Sequence, residues 1–330
     1  MNPTALDAAT GELLAGSLRE LFASLTDGRR LGAELDELGW AEVRAEDPAW
    51  ATTLLFAEHG RALATSRALD DALLAELAPV LPAPDRPRAV LHPDLAGGEV
   101  PAPAGAPLRG LLLGDLADVA EVVVPVSTAG GTGVLVVAPA ALAAALAPAT
   151  GFDDAPGWQR VTGAAVAGEP VPAAAEWERA LAAGRRALAA ELIGVCEAAL
   201  ALAVAHTCAR VQYGRAIGSF QAVRHRLSEA FVAVQSARST LGTAWVAAGR
   251  PDAAWAARLA KLRAGRAQAE VMRHVVQVHG AMGLTRESDV HRFVTRAAVL
   301  DGLLGSSREL TAAVGADLLA GADPLPVVEI

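Results

Sequence analysis

The first part of the chain carries apolar residues at the spacing of amphipathic helices. One stripe consists of Leu14, Leu18, Leu21, Phe22 and Leu25. A second stripe of leucines covers residues 31–38 and is interrupted at Gly39 and Trp40. Residues 51–64 and 70–77 are two further candidate helices. The pattern predicts an N-terminal helical domain over residues 1–82.

The prolines divide the sequence into two parts of different character. Sixteen of the nineteen lie at or before Pro172, and only Pro251, Pro324 and Pro326 follow it. Because proline lacks a backbone N–H and clashes with the preceding turn, it interrupts helix interiors. Residues 173–250 and 252–323 are therefore free to form long helices, and we predict a C-terminal helical bundle domain over residues 173–330.

Between these helical parts the sequence becomes rich in proline and glycine. The valine-rich runs at residues 119–126 and 134–137 are typical of strands, and the Ser/Thr/Gly segment at 127–133 predicts a hairpin between them. Residues 88–110 are largely proline, glycine and alanine, which leaves little room for several full strands. We expect a mainly α fold with a small, reduced β-rich middle domain over residues 83–172.

Composition limits the classes of function. A hydrophobic content of 53% with only 4% aromatics suits an interior of closely packed helices, and a net charge of −9 argues against a nucleic-acid partner. The most apolar run, residues 187–205, contains Glu191 and Glu197, which is typical of a buried helix rather than a membrane span. The histidines form no H-x-x-x-H pair, so no metal site is predicted. A polar start and two cysteines without C-x-x-C spacing favour a cytoplasmic protein.

The segment after the first long helix carries groups that suit a nucleotide. Residues 210–221 read RVQYGRAIGSFQ. The planar guanidinium of Arg210 matches a pyrophosphate, and the side-chain amides of Gln212 and Gln221 can donate hydrogen bonds. A turn between two helices with solvated polar residues would have the same composition, so this segment alone leaves both interpretations open.

A second candidate segment closes the next long helix. Residues 277–283 read QVHGAMG. The side chain of Gln277 can bind a ligand, and Gly280 allows the backbone to approach one closely. On its own, G-x-x-G is equally typical of the end of a helix.

Together the two segments resemble the acyl-CoA dehydrogenase family. Its C-terminal pattern, R-x-Q-[FY]-G-x-x-I-x-x-F-Q followed by Q-x-x-G-x-x-G, is matched over residues 189–310. The resemblance implies an N-terminal helical domain, a β-barrel middle domain and a C-terminal four-helix bundle, with FAD bound at a subunit interface. It assigns the FAD contacts to Arg210, Gln212, Phe220, Gln221, Gln277 and Gly280. Ala281 replaces the usual second glycine.

The positions that carry the base in this family hold no acid here. The family's reaction removes an α-proton with a carboxylate while a β-hydride moves to the flavin. In most members the glutamate stands at the position of Leu304, and in a minority at the position of Gly184. Asp301, one turn before Leu304, and Glu191, two turns after Gly184, are candidate displaced bases. Solvated or interhelical carboxylates would give the same pattern.

The part that would hold flavin within the same subunit is reduced too, because residues 88–110 lack the family's Thr-Glu-Pro…Ser segment. This combination resembles the smaller subunits of heteromeric α2β2 acyl-CoA dehydrogenases of actinobacterial type, which act on bulky thioesters such as steroid side-chain CoA esters. The resemblance implies a subunit that completes the FAD site of a larger partner, with an acyl-CoA substrate and an electron-transfer flavoprotein or similar acceptor. A self-sufficient flavoenzyme with a relocated base and a flavin-free structural homologue are the alternatives.

Overall fold

The computed structural model describes residues 8–82, 86–95, 102–151, 153 and 157–322. In these residues the α-helices are α1 Ala8–Ser24, α2 Leu31–Glu37, α3 Trp40–Glu46, α4 Pro48–Arg61, α5 Ala68–Leu77, α6 Ala174–Ala209, α7 Gln221–Val246, α8 Ala253–His279, α9 Val290–Gly302 and α10 Ser307–Leu319. The strands are β1 Arg88–Val90, β2 Ala102–Pro103, β3 Leu108–Leu112, β4 Glu121–Thr128, β5 Gly131–Val137, β6 Leu146–Pro148, β7 Gln159–Ala164, β8 Val171–Pro172, β9 Val211–Gln212 and β10 Arg215–Ala216. The predicted mainly α fold with a small β region is confirmed.

The N-terminal helices start and stop at local signals in the sequence. Gly39 ends the second leucine stripe in the left-handed conformation, with φ of 67°. Trp40 does not end a helix; it begins α3 and is buried. Asp47 caps α4 by accepting the N–H of Trp50 at 2.9 Å, and Pro48 occupies the first helical position, where a missing N–H is harmless.

The β region forms two small sheets with their own apolar core. One sheet has the order β1-β4-β5-β8, with β2 also paired to β4, and the other has the order β3-β7-β6. Valine and leucine side chains of both sheets form a buried cluster that includes Val122, Val124, Leu135 and Val161. This cluster shows that the middle region keeps a core of its own despite its short strands.

The predicted hairpin is present, but its loop is shorter than the sequence indicated. The ladder of β4 and β5 continues to the pair Thr128–Gly131, so only Ala129 and Gly130 form the loop. Gly131 has a φ of 108°, which favours glycine. The polar residues of the predicted loop extend the strands because their backbone groups can pair while their side chains face solvent.

Helix α6 is the centre of the helical core. Its most apolar window has a mean hydropathy of 2.0, enough by composition and length for a membrane span, yet 67% of that window is buried inside the protein. It packs against α4, α5, α7 and α8. The core helix of a packed domain passes the same test as a membrane span.

Two glycines let α4 and α6 cross with their backbones in contact. A Cβ added at Gly60 would overlap the carbonyl oxygen of Glu191, and one at Gly194 would overlap that of Ala57. The close crossing positions the α4–α5 connection against α6, and α5 then packs beside the segment between α9 and α10. This arrangement brings together Gly184 and Leu304, the two positions at which the sequence resemblance predicts the base.

Candidate FAD interface and base positions

The two sequence segments predicted to bind FAD meet at one end of the bundle. The ring of His206, in the last turn of α6, stacks on the ring of His279, the last residue of α8, with centroids 4.4 Å apart and an interplanar angle of 25°. Arg210 follows directly after α6, and Gln277 and Gly280 flank His279. The stacked pair therefore joins segments that are far apart in the sequence.

Between α6 and α7 the chain forms a short hairpin. Strands β9 and β10 pair Gln212 with Arg215, and both residues of the connecting turn have positive φ, 54° for Tyr213 and 78° for Gly214. Positive φ at both central residues defines a type I′ turn, which matches the twist of a two-residue hairpin. The Ile217 N–H donates to the Arg210 carbonyl at 2.8 Å and ties the hairpin to the end of α6.

The ring of Phe220 anchors the hairpin instead of pointing outward. The Arg215 guanidinium lies 4.1 Å from its centroid, and the Tyr213 ring meets it edge-on at 6.2 Å. Phe220 is half-buried, whereas Tyr213 is 94% exposed. Of the six predicted FAD residues, Phe220 thus also has a clear structural role in this chain.

The polar members of the predicted set are available to a ligand. Arg210, Gln212, Gln221 and Gln277 are all exposed, and no side chain of the four forms a hydrogen bond with the residues that the structure describes. Gly280 ends α8 with φ of 67° and ψ of −148°, a conformation that favours glycine irrespective of the open space around it. The group offers one cation and several amide donors at the surface, which fits a phosphate-bearing cofactor.

The charge at this end of the bundle comes mainly from arginine. Burial lowers the pKa of His206 from its ordinary value, and the neighbouring His279 and Arg210 lower it further. The imidazole of His206 therefore remains neutral at physiological pH, and its role is to hold α6 against α8. His279 Nδ1 donates to the Val275 carbonyl at 2.8 Å, which fixes its ring.

The two base positions touch each other. A Cβ added at Gly184 on α6 would lie 2.6 Å from Leu304 Cδ1 and 3.2 Å from Leu73 Cδ2. Leu304 is buried, with a φ of 53° that is unusual for leucine, and its carbonyl accepts a hydrogen bond from Arg185 Nε at 3.1 Å. The place where a carboxylate would stand is therefore packed with leucine side chains.

Asp301, one candidate base, is engaged in closing the bundle. Its carboxylate accepts the N–H of Ser307 at 3.1 Å and its hydroxyl at 3.0 Å, at the start of α10. Lys261 is fully buried nearby, and its Nζ donates to the Asp301 carbonyl at 2.8 Å. Burial lowers the pKa of Lys261 to about 8, although the Asp301 charge opposes the shift. These contacts explain the carboxylate without a catalytic role.

Glu191, the other candidate base, belongs to a buried chain of hydrogen bonds. Its carboxylate lies 2.9 Å from His59 Nδ1, and His59 Nε2 lies 3.0 Å from the hydroxyl of Ser66. This order of groups is that of a hydrolase triad, but Ser66 Oγ also accepts the Ala68 N–H at 3.2 Å. The chain therefore links α6, α4 and the start of α5. No spacing in the sequence indicates these hydrogen bonds, because their members lie on three separate elements.

The cavity next to the hydrogen-bonded residues Glu191, His59 and Ser66 is small. It has a volume of about 20 Å³ and is bordered by Leu188, Leu303 and Trp158 among others, which is room for about one water molecule. Arg296, also on its border, donates to Asp153 at 2.8 Å and to the Ala64 carbonyl at 2.8 Å, and only 3% of it is exposed. Arginine and large apolar side chains thus fill the space beside Glu191.

Comparison with known proteins assigns a family to the C-terminal part of the chain and a fold to the whole. Residues 176–319 match the family model described as acyl-CoA dehydrogenase, C-terminal domain. The overall structure resembles glutaryl-CoA dehydrogenase from Mycobacterium smegmatis with a TM-score of 0.73 and 18% identity, over 98% of this chain and 97% of that one. The C-terminal domain belongs to the acyl-CoA dehydrogenase family, and the chain as a whole has the acyl-CoA dehydrogenase fold.

The chain is also similar to particular acyl-CoA dehydrogenases. The acyl-CoA dehydrogenase IpdE2 of Mycobacterium tuberculosis is 39% identical over 123 residues, which are 37% of this chain and 37% of that protein. The match therefore spans little more than a third of this curated relative. A chain of the ChsE4-ChsE5 complex from Mycobacterium tuberculosis superimposes with a TM-score of 0.74 and 23% identity, over 98% of this chain and all of that one. A chain of the Tcur3481-Tcur3483 steroid acyl-CoA dehydrogenase superimposes with a TM-score of 0.74 and 23% identity, over 95% of this chain and 98% of that one.

Proposed function

We propose that this chain is the smaller subunit of a heteromeric, FAD-dependent acyl-CoA dehydrogenase and completes the FAD site of a larger partner. The observation that carries the proposal is a contrast between two parts of one domain. The base positions Gly184 and Leu304 are closed by leucine packing, whereas the cation and amides around Arg210 are exposed and without partners among the described residues. A chain without a base of its own can still donate these groups across an interface to the FAD site of another subunit.

The chemistry of the reaction supports a division of labour. Proton abstraction from the α-carbon needs a carboxylate of tuned pKa within reach, and neither leucine nor glycine can accept a proton. Bound FAD would supply the acceptor for the β-hydride. In the proposed complex the partner supplies the base, and this chain supplies the guanidinium of Arg210 and the amides of Gln212, Gln221 and Gln277 to the cofactor's phosphates and polar edge.

Exposed apolar side chains beside the predicted site favour burial against another subunit. Tyr213 is 94% exposed, Val211 56% and Val204 44%. Exposed aromatic and aliphatic groups next to arginine are typical of the centre of a protein interface. Since ChsE4-ChsE5 is a complex and Tcur3481-Tcur3483 is called a steroid acyl-CoA dehydrogenase, we infer an α2β2 assembly. Its substrate would be a bulky CoA thioester such as a steroid side-chain ester, with an electron-transfer flavoprotein or similar acceptor, in the cytoplasm.

The proposal is tested by the flavin content of purified protein. The chain is produced alone and together with a larger relative that carries the family's glutamate. We expect a colourless protein alone and a yellow, active complex with the partner. Loss of a charge-assisted hydrogen bond costs about 1.5–3 kcal/mol, so Arg210→Ala should weaken FAD binding to the complex about 10- to 100-fold.

A matched control separates this effect from a general change of charge. Arg308 is also an exposed arginine, but it lies on α10. Arg308→Ala should leave the flavin content of the complex unchanged, and both variants should melt like the unaltered protein. FAD bound to the chain alone would support the self-sufficient flavoenzyme instead. Equal flavin content in the Arg210→Ala and unaltered complexes would support a flavin-free structural role for this chain.

A further inference from the structure

A second cavity lies on the opposite side of α6 from the base positions. It has a volume of about 420 Å³ and is lined by residues of α2 to α5 together with α6 and α7. Its apolar lining includes Leu35, Trp40, Leu55 and Phe56, and Trp245 closes it on the α7 side. Volumes of this order are typical of pockets for small molecules. We call this cavity the Arg186 pocket, after the charged residue that lines it.

Arg186 is the unusual member of this lining. Only 7% of the residue is exposed, and its Nε and Nη1 groups have no hydrogen-bond partner within the described parts of the chain. Its guanidinium lies 4.6 Å from the centroid of the Trp245 ring. Burial lowers the pKa of Arg186, and the carboxylate of Glu76 opposes the shift. An arginine nevertheless keeps its charge, so a buried cation with unpaired donors faces this cavity.

Buried donors without partners are rare in folded proteins. A buried charged group that lacks hydrogen bonds destabilises the fold, and replacing such a group by an apolar side chain is often neutral or stabilising. Stacking on an indole ring offsets part of this cost, but it does not satisfy the N–H groups. A ligand with an acceptor group at this place would satisfy them.

The pocket is distinct from the closed site at Leu304. Gly184, which faces Leu304 and Leu73, precedes Arg186 by two residues, and two residues turn a helix by about 200°. On α5 the same separation holds, because Ala72 and Ala75 line the pocket while Leu73 faces Gly184. The layer formed by α5 and α6 therefore stands between the two places.

The charges around the pocket restrict its ligand. Arg44 and Arg186 provide positive charge, and Asp71 and Glu76, which also line the pocket, provide negative charge. A dianion such as a phosphate monoester would be repelled by the two carboxylates. A single negative charge on a large apolar body would satisfy the guanidinium and fill the aromatic and aliphatic lining.

We propose that the Arg186 pocket binds an amphipathic monocarboxylate, with the carboxylate accepting from the guanidinium of Arg186 and the apolar body lying against Trp40 and the surrounding leucines. This site does not depend on the FAD interface proposed above. It gives the chain a binding function that would persist in the absence of any partner subunit.

The test uses octanoate as the probe, with two matched compounds. Octan-1-ol has the same apolar body without the charge, and acetate has the carboxylate without the body. Thermal unfolding of the full chain is followed at increasing concentrations of each compound, and affinity is measured by calorimetry. We expect octanoate to raise the melting temperature in a saturable manner, and octanol and acetate to have at most a small effect.

The variant Arg186→Met removes the charge and keeps an unbranched side chain. We expect its melting temperature without ligand to equal or exceed that of the unaltered chain, and its affinity for octanoate to fall at least 10-fold. Arg308→Met, a matched change on the surface of α10, should leave both quantities unchanged. An octanoate response that survives in Arg186→Met, or that octanol reproduces, would overturn the proposal. So would the absence of any response in the unaltered chain.

Discussion

The contact between the two base positions makes a quantitative prediction. Gly184 and Leu304 are far apart in the sequence, yet a Cβ at Gly184 would lie 2.6 Å from Leu304 Cδ1. The perturbation is Gly184→Ala, which adds that single atom in the interior of α6. The same change at Gly242, in α7, meets nothing within 4 Å and is the matched control.

The expected magnitudes follow from the two environments. Replacing glycine by alanine inside a helix gains up to about 1 kcal/mol, which Gly242→Ala should show in full. At Gly184 this gain is opposed by overpacking, which costs about 1–3 kcal/mol. Because the atoms in the way are leucine methyl groups that can shift, we expect a net destabilisation of about 0–2 kcal/mol. Leu304→Ala alone should cost about 2–5 kcal/mol.

The decisive measurement is the double-mutant cycle by urea unfolding at equilibrium. In the Leu304→Ala background the obstructing methyl is gone, so Gly184→Ala should become stabilising, with a coupling of about 1–3 kcal/mol between the two changes. Additive effects at Gly184 and Leu304, or equal stabilisation by Gly184→Ala and Gly242→Ala, would refute the contact. Such a result would also contradict the argument that the space between Gly184 and Leu304 has no room for a base.

Two further changes test the packing around α6. Gly194→Ala places a Cβ on the Ala57 carbonyl oxygen. Because backbone atoms cannot move aside, the variant should be destabilised by more than about 3 kcal/mol in thermal unfolding. A variant as stable as the unaltered chain would contradict the close crossing of α4 and α6. Lys261 has a folded pKa of about 8 against an ordinary 10.5. The free-energy cost of burying its positive charge is therefore fully present below pH 8 and absent above pH 10.5. The unfolding free energy of the unaltered chain relative to Lys261→Met should therefore rise by up to about 3 kcal/mol across that window, and a pH-independent difference would contradict the burial.

Local signals in the sequence predicted the helices better than the strands. The leucine stripes, the distribution of proline and the glycine at position 39 predicted the helices, because these features act within one or two turns of the chain. The hairpin loop was predicted too long because polar residues were assigned to the loop, whereas Ser127 and Thr132 pair in the ladder. Side-chain polarity does not prevent backbone pairing at an exposed strand end.

For the candidate site, some assignments come from the sequence and others only from the structure. The assignment of Arg210 and Gln277 to a cofactor, and the domain boundaries, remain predictions from the sequence. The involvement of Glu191 with His59 and of Asp301 with Ser307 could not be read from the sequence, since each pairing joins different helices. Both candidate bases acquired a structural explanation only when their partners were known.

The sequence by itself determined the helices, the family pattern of the C-terminal domain and the absence of an acid at positions 184 and 304, because residue identity and periodicity are local properties. Only the tertiary structure decided that these two positions touch, that His206 stacks on His279, and that Arg186 faces a cavity without a partner in the described residues. Each of these depends on how closely helices cross. Between α4 and α6 that distance is set by backbone contacts at Gly60 and Gly194, which join residues distant in the chain.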